Sequence, residues 1–112
     1  MNETQFKSKF LRKLKPFGGW WYKTNDKFTA GIPDIIGCYK GMFVGFELKV
    51  GTNTPSKIQK YMVEEINGNA GRVYVTYPKH MPYLKNVFVE IDMFLGCQAG
   101  TIRSLAFSEW PI

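Results

Sequence analysis

The stretch from Gly31 to Lys49 reads Gly-Ile-Pro-Asp-Ile-Ile-Gly-Cys-Tyr-Lys-Gly-Met-Phe-Val-Gly-Phe-Glu-Leu-Lys, and it constrains the chain more than any other. Two apolar runs meet at Lys40-Gly41, the pattern of a β-hairpin. Strand side chains alternate, so Glu47 and Lys49 share one face while Phe46 and Leu48 share the other. Before Asp34, Gly31 permits unusual dihedrals and Pro33 fixes φ and removes a donor. Asp34 is therefore expected at a strand start or turn, with its carboxylate presented. A carboxylate and an ammonium side by side beneath a second carboxylate carry a desolvation cost. A divalent metal ion would offset it.

The flanks read as regular structure. Residues 2–15 form a helix, capped by Asn2, with Phe6, Phe10 and Leu14 as its apolar stripe and Pro16 and Gly18-Gly19 as its end. Its lysines, Lys7 and Lys13 among them, suit a solvated face or phosphate contacts. Glu3 complements the helix N-terminus. Trp20, Trp21, Tyr22 and Phe28 alternate with Lys23 and Lys27; Trp20 and Tyr22 are expected in the core, with stacking on bases beside a cationic rim as the alternative. Asn25-Asp26 reads as a turn. After Lys49 comes a loop, then a second helix capped by Thr54 with Pro55 first, its apolar stripe Ile58, Met62 and Ile66 joined by Val63, ending at Gly68 or Gly71. Arg72–Tyr77 reads as a third strand stopped by Pro78, which makes the strand-helix-strand unit a right-handed crossover. Residues 82–95 suit a helix opened by Pro82, although Val87–Ile91 would also suit a strand.

Charge decides what kind of partner to look for. Fifteen Lys and Arg against nine Asp and Glu give a formal charge of +6, which points to a polyanion, nucleic acid ahead of membrane. With 112 residues, 45% of them apolar, the chain is expected to form one domain with its own core. Cys38 and Cys97 are too few for a disulfide framework and form no Cys-x-x-Cys pair, so free thiols in a reducing, cytoplasmic setting are expected. The charged N-terminal stretch is unlike a secretory leader, and no apolar run approaches the roughly 20 residues that span a bilayer.

Phosphodiester hydrolysis needs hard oxygen ligands for a divalent ion, and a cation for the charge that develops. Asp34 and Glu47 supply the carboxylates, the Leu48 main-chain carbonyl lies on the same strand, and Lys49 projects to the side of Glu47. His80 is the only histidine, which disfavours a Ser-His-Asp triad and a His-dependent zinc site. No Gly-x-x-x-x-Gly-Lys loop is present, so no nucleotide cofactor is expected.

Pro33-Asp34 followed by Glu47-Leu48-Lys49 resembles the motif of the PD-(D/E)XK nuclease superfamily. The Gly before Pro-Asp, the short hairpin with Gly41 and Gly45, and Ser56-Lys57-Ile58-Gln59 opening the next helix are similar to its virus-type replication-repair (VRR-NUC) branch. The resemblance spans roughly residues 1–77 and stops after Pro78. It implies a restriction-endonuclease-like α/β fold, a small mixed sheet flanked by helices, and a Mg²⁺- or Mn²⁺-dependent DNA endonuclease. It implies Asp34 and Glu47 as metal ligands, Lys49 as catalytic lysine, Gln59 as a helper lining the site, and Glu3 reaching the metal through water. Compact members resemble Holliday-junction resolvases, in which two subunits act on one four-way junction. A homodimer on branched DNA is the expectation, with residues 78–112 packed on the core or on a partner subunit. Lys7, Lys13, Lys23, Lys27, Lys57 and Lys60 are the expected DNA contacts.

Taken singly, the site residues have plainer roles: Asp34 as a turn cap, Glu47 and Lys49 as a salt bridge on an exposed edge strand. Two other functions compete, a catalytically silent nucleic-acid-binding module with this fold and a basic protein that docks an acidic partner. Metal-dependent cleavage that disappears in Lys49→Ala separates the three.

Overall fold

The structure, a computed structural model, describes residues 1–25, 30–96 and 110–111. Helix α1 (Glu3–Leu14) leads through a 3-10 turn at Lys15–Phe17 into strand β1 (Trp20–Lys23). Strands β2 (Ile35–Tyr39) and β3 (Met42–Leu48) follow, then helix α2 (Lys57–Gly68), strand β4 (Arg72–Thr76), a 3-10 segment (Pro78–Tyr83) and helix α3 (Leu84–Gly96). The strands form one mixed sheet in the order β1-β2-β3-β4, antiparallel except for the parallel β3–β4 pair. No helix among the described residues is long and apolar enough to cross a membrane.

Most of the expected elements are present, and their cause is visible. Asn2 accepts from the Gln5 amide while the Gln5 side chain accepts from the Asn2 amide, a reciprocal cap that starts α1. Phe6, Phe10 and Leu14 are wholly buried. The β2–β3 hairpin turns at Lys40 and Gly41, both at positive φ (50° and 85°), as a two-residue loop between twisted strands requires. One sheet face, with Ile35, Tyr39, Val44, Phe46, Leu48 and Tyr74, packs against α1 and against Leu84, Val87, Phe88 and Ile91 of α3. Residues 78–96 thus pack on the core through Leu84, Val87, Phe88 and Ile91. Most of the C-terminal segment beyond them lies outside the described residues, as do Cys97, Phe28, Lys27 and Asp26.

One strand is added and three readings are corrected. Trp20–Lys23 is a fourth strand, at the sheet edge. Within it Trp20 and Tyr22 are not core: they are 62% and 51% exposed, while Trp21 packs against the core. Gly37, paired with Trp21, explains the choice. A Cβ there would lie 2.3 Å from the Trp21 ring, so only glycine lets the indole lie across β2. The cap of α2 is Ser56 rather than Thr54, because Ser56 and Gln59 satisfy each other's amides and Thr54-Pro55 offers no such reciprocity. Finally, α2 turns Val63 and Asn67 inward and leaves Ile58 49% exposed. Asn67 Oδ1 accepts from the Val73 amide (3.0 Å) and ties the end of α2 to β4.

Trp110 packs on the core beside the end of β4. Its ring stacks on His80 (4.8 Å, 5° between planes), and its Nε1 donates to the Val75 carbonyl (3.0 Å). His80 Nδ1 accepts from the Tyr77 amide (2.9 Å), which requires an unprotonated Nδ1. Burial, then Lys79, holds the His80 pKa below its ordinary 6.5. The sign follows: as pH falls through 6.5 the unfolded chain takes up the proton first, so this contribution to stability is present above 6.5 and lost toward the lower folded value. The melting advantage of wild type over His80→Asn should shrink between pH 7.5 and pH 5.5. An unchanged advantage would show that His80 stays charged or does not matter.

Candidate active site

The sheet brings Asp34 and Glu47 together. Ile35 and Phe46 are paired, so Asp34 lies one step before β2, opposite Glu47 in the central strand β3. Thr24 fixes the Pro-Asp turn from the β1 side: its amide donates to the Asp34 carbonyl (2.9 Å) and its hydroxyl to the Pro33 carbonyl (2.7 Å). Gly31 has φ +82°, and a Cβ there would meet the Ile58 carbonyl at 2.8 Å, so the turn lies hard against the first turn of α2. Asp34 Oδ2 accepts from the Leu48 amide (2.8 Å). That bond holds the carboxylate across the end of β3.

Glu47 is 2% exposed and on the face that α2 covers. Gln59 Nε2 donates to Glu47 Oε1 (3.0 Å), while its Oε1 accepts from the Ser56 amide (2.8 Å). Lys49 Nζ stands 3.7 Å from the same Glu47 oxygen, its side chain only 14% exposed. The Lys49 amide donates to the Thr76 carbonyl (2.9 Å), so β4 holds the backbone just past β3. Burial pushes the Glu47 pKa up to about 8, the neighbouring Asp34 carboxylate adding to it and Lys49 opposing it. The Glu47–Lys49 pair therefore exists, but in the interior of the sheet and not on an exposed edge.

Of the sequence-derived site residues, Asp34, Glu47, Lys49 and Gln59 converge, and Leu48 contributes its amide to Asp34. Glu3 lies near enough to raise the Glu47 pKa slightly. Lys7 occupies an unexpected place: its Nζ lies 3.0 Å from Asp34 Oδ1 and 3.8 Å from Glu3. No sequence spacing could show this, because the contact needs α1 laid across the end of the hairpin. Among the expected DNA contacts, Lys13, Lys57 and Lys60 are exposed and Lys23 is half-buried.

The donor set speaks to which ion could be held. Among the described residues no group of three or more His, Cys, Asp and Glu side chains is placed to hold a metal ion. Two carboxylates and a main-chain carbonyl suit Mg²⁺ or Mn²⁺, which keep several waters, and give a thiophilic or imidazole-seeking ion nothing to bind. The Lys7 ammonium against Asp34 is a single positive charge where such an ion would compete. Removing it in Lys7→Met should tighten Mn²⁺ binding severalfold, measured by calorimetry, and should lower metal-free stability by about 1 kcal/mol. Weaker Mn²⁺ binding would show that Lys7 organises the carboxylates instead of opposing the ion.

No protein-family model, curated protein or solved structure matches this chain.

Proposed function

We propose that this protein is a divalent-metal-dependent endonuclease of the PD-(D/E)XK kind, acting on branched DNA such as four-way junctions and working as a homodimer. One observation carries the reading: Asp34, Glu47, Lys49 and Gln59, drawn from a turn, a central strand, its extension and a helix, meet at one end of the sheet with Glu47 desolvated against Asp34. A structural salt bridge needs neither the second carboxylate nor the amide.

Asp34, Glu47 and the Leu48 carbonyl would hold Mg²⁺ or Mn²⁺, which supplies Lewis-acid polarisation of the phosphoryl oxygen and an activated water. The protein's own part is positioning. The Leu48 amide aims Asp34, and Gln59 aims Glu47. Lys49 brings a fixed ammonium to the scissile phosphate, where it stabilises the negative charge that builds up during attack. Exposed Lys13, Lys57 and Lys60 offer phosphate contacts that hold the duplex arms.

The test is cleavage of a labelled four-way junction beside a linear duplex of the same sequence, with Mg²⁺, with Mn²⁺ and with chelator. Paired, metal-dependent cuts near the branch support a dimeric resolvase. Cuts confined to flaps or ends keep the nuclease and retire the junction and the dimer. Binding without any cut, by folded protein in either metal, leaves the silent binding module.

A further inference from the structure

Two aromatic side chains in this fold have no work to do in the core. Trp20 and Tyr22 stand on the outer strand β1, 62% and 51% exposed, with their rings parallel to within 1° and 6.0 Å apart. Neither ring is needed for burial, because Trp21 between them fills that role. Single exposed aromatics are ordinary, but two adjoining and co-oriented ones make a contiguous apolar patch of the kind that marks an interaction surface.

Register places them relative to the acidic site. Tyr22 pairs with Ile36, which pairs with Gly45; Trp20 pairs with Cys38, which pairs with Phe43. Directly paired residues point to the same side of a sheet, and residues two apart along a strand do as well. Trp20 and Tyr22 therefore share the face of Glu47. The Tyr22 row lies one pleat repeat from the Glu47 row and the Trp20 row two, roughly 7 and 14 Å along the strands. Across the sheet, β1 is two strand spacings from β3, roughly 10 Å. A nucleic-acid strand crossing the site would reach these rings within a few nucleotides.

We propose that Trp20 and Tyr22 form a stacking platform for unpaired bases, which holds bases freed from pairing near a branch within a few nucleotides of the acidic site. Every base has a π-face, and two co-oriented aromatic faces meet successive bases without reading their sequence. In a base-paired duplex those faces are already stacked on one another and unavailable. The net charge of +6 favours a polyanionic occupant. The choice of nucleic acid rests on the proposed nuclease function; the ring geometry does not.

The experiment measures binding of a fluorescein-labelled oligo(dT) and of a hairpin duplex to wild type, Trp20→Ala, Tyr22→Ala and Trp20→Phe, all in chelator so that nothing is cut. Each alanine variant should bind oligo(dT) roughly tenfold more weakly, with duplex affinity unchanged and with Trp20→Phe close to wild type. Circular dichroism melts confirm folding, which substitution of exposed side chains should leave intact. Equal losses on both probes, or none on either, overturn the proposal. So does a wild-type dimer that Trp20→Ala converts to monomer with oligo(dT) binding unchanged, which would assign the face to a second copy. Because binding is read without metal, a protein that stacks bases yet cuts nothing in Mg²⁺ or Mn²⁺ would keep the platform and retire the nuclease.

Discussion

Lys49→Ala should lower the single-turnover rate of metal-dependent DNA cleavage by about 10²–10³-fold, the usual consequence of removing one preorganised group that stabilises transition-state charge. The fold should survive, because the Lys49 main-chain amide, which donates to the Thr76 carbonyl, holds the strand end whatever the side chain. Its ammonium stands 3.7 Å from Glu47 and is one of the influences that lower the Glu47 pKa. The variant should thus show a second effect. Without that charge, Glu47 ionises at higher pH, and whatever activity remains should move its rising limb to higher pH. Loss of activity accompanied by an equal loss of DNA affinity would mean that Lys49 holds substrate and plays no special part in the reaction. Arginine should not restore the rate, since a planar guanidinium is longer and differently directed than an ammonium.

Glu47→Gln should abolish cleavage and, in metal-free protein, raise stability. The sign follows from the pKa. Folded Glu47 titrates near 8 against an ordinary value of 4.5. Its contribution to stability is fully present below 4.5 and is lost as pH rises through about 8, because the unfolded chain releases the proton first. At pH 8.5 the wild type carries a desolvated carboxylate beside Asp34, a penalty on the order of a few kcal/mol. Glutamine keeps an oxygen for Gln59 Nε2 and has no charge to desolvate. Chemical denaturation at pH 5 and pH 8.5 should show the variant gaining on wild type at the higher pH only. Saturating Mn²⁺ should erase that gain by stabilising wild type through binding, about 2.7 kcal/mol at a hundred times Kd. A variant less stable than wild type at pH 8.5 would mean that Glu47 is a satisfied structural carboxylate. Sites that bear such strain trade stability for activity.

The hairpin and α1 were legible because their signals are local. Lys40-Gly41 between two apolar runs admits one turn, and Phe6, Phe10 and Leu14 mark one helical face. Asp34, Glu47 and Lys49 were legible for the same reason, since a hairpin of known length decides which residues lie opposite one another. Trp20-Trp21-Tyr22 was not. Three consecutive aromatics alternate faces whichever way the strand is turned, and a one-residue choice inverts them all. The deciding residue, Gly37, sits on the neighbouring strand. Thr54 and Ser56 are equally good caps on their own chemistry, and only Gln59 breaks the tie. Two long-range features had no sequence signal: Lys7 against Asp34, and Arg72, buried in β4 with its guanidinium 3.7 Å from Glu90 and 4.9 Å from the Phe94 ring centroid. Both depend on where helices land on the sheet.

Gln59 uses both ends of its amide, the oxygen on the Ser56 N–H and the nitrogen on Glu47. That double engagement gives the molecule a gauge at some distance from the chemistry. Any cation or substrate that draws Glu47 away must tug the same amide and loosen the Ser56 N–H, whose nuclear magnetic resonance shift and solvent exchange will follow. Occupancy can then be followed at a backbone proton, with no substrate turned over and no label attached.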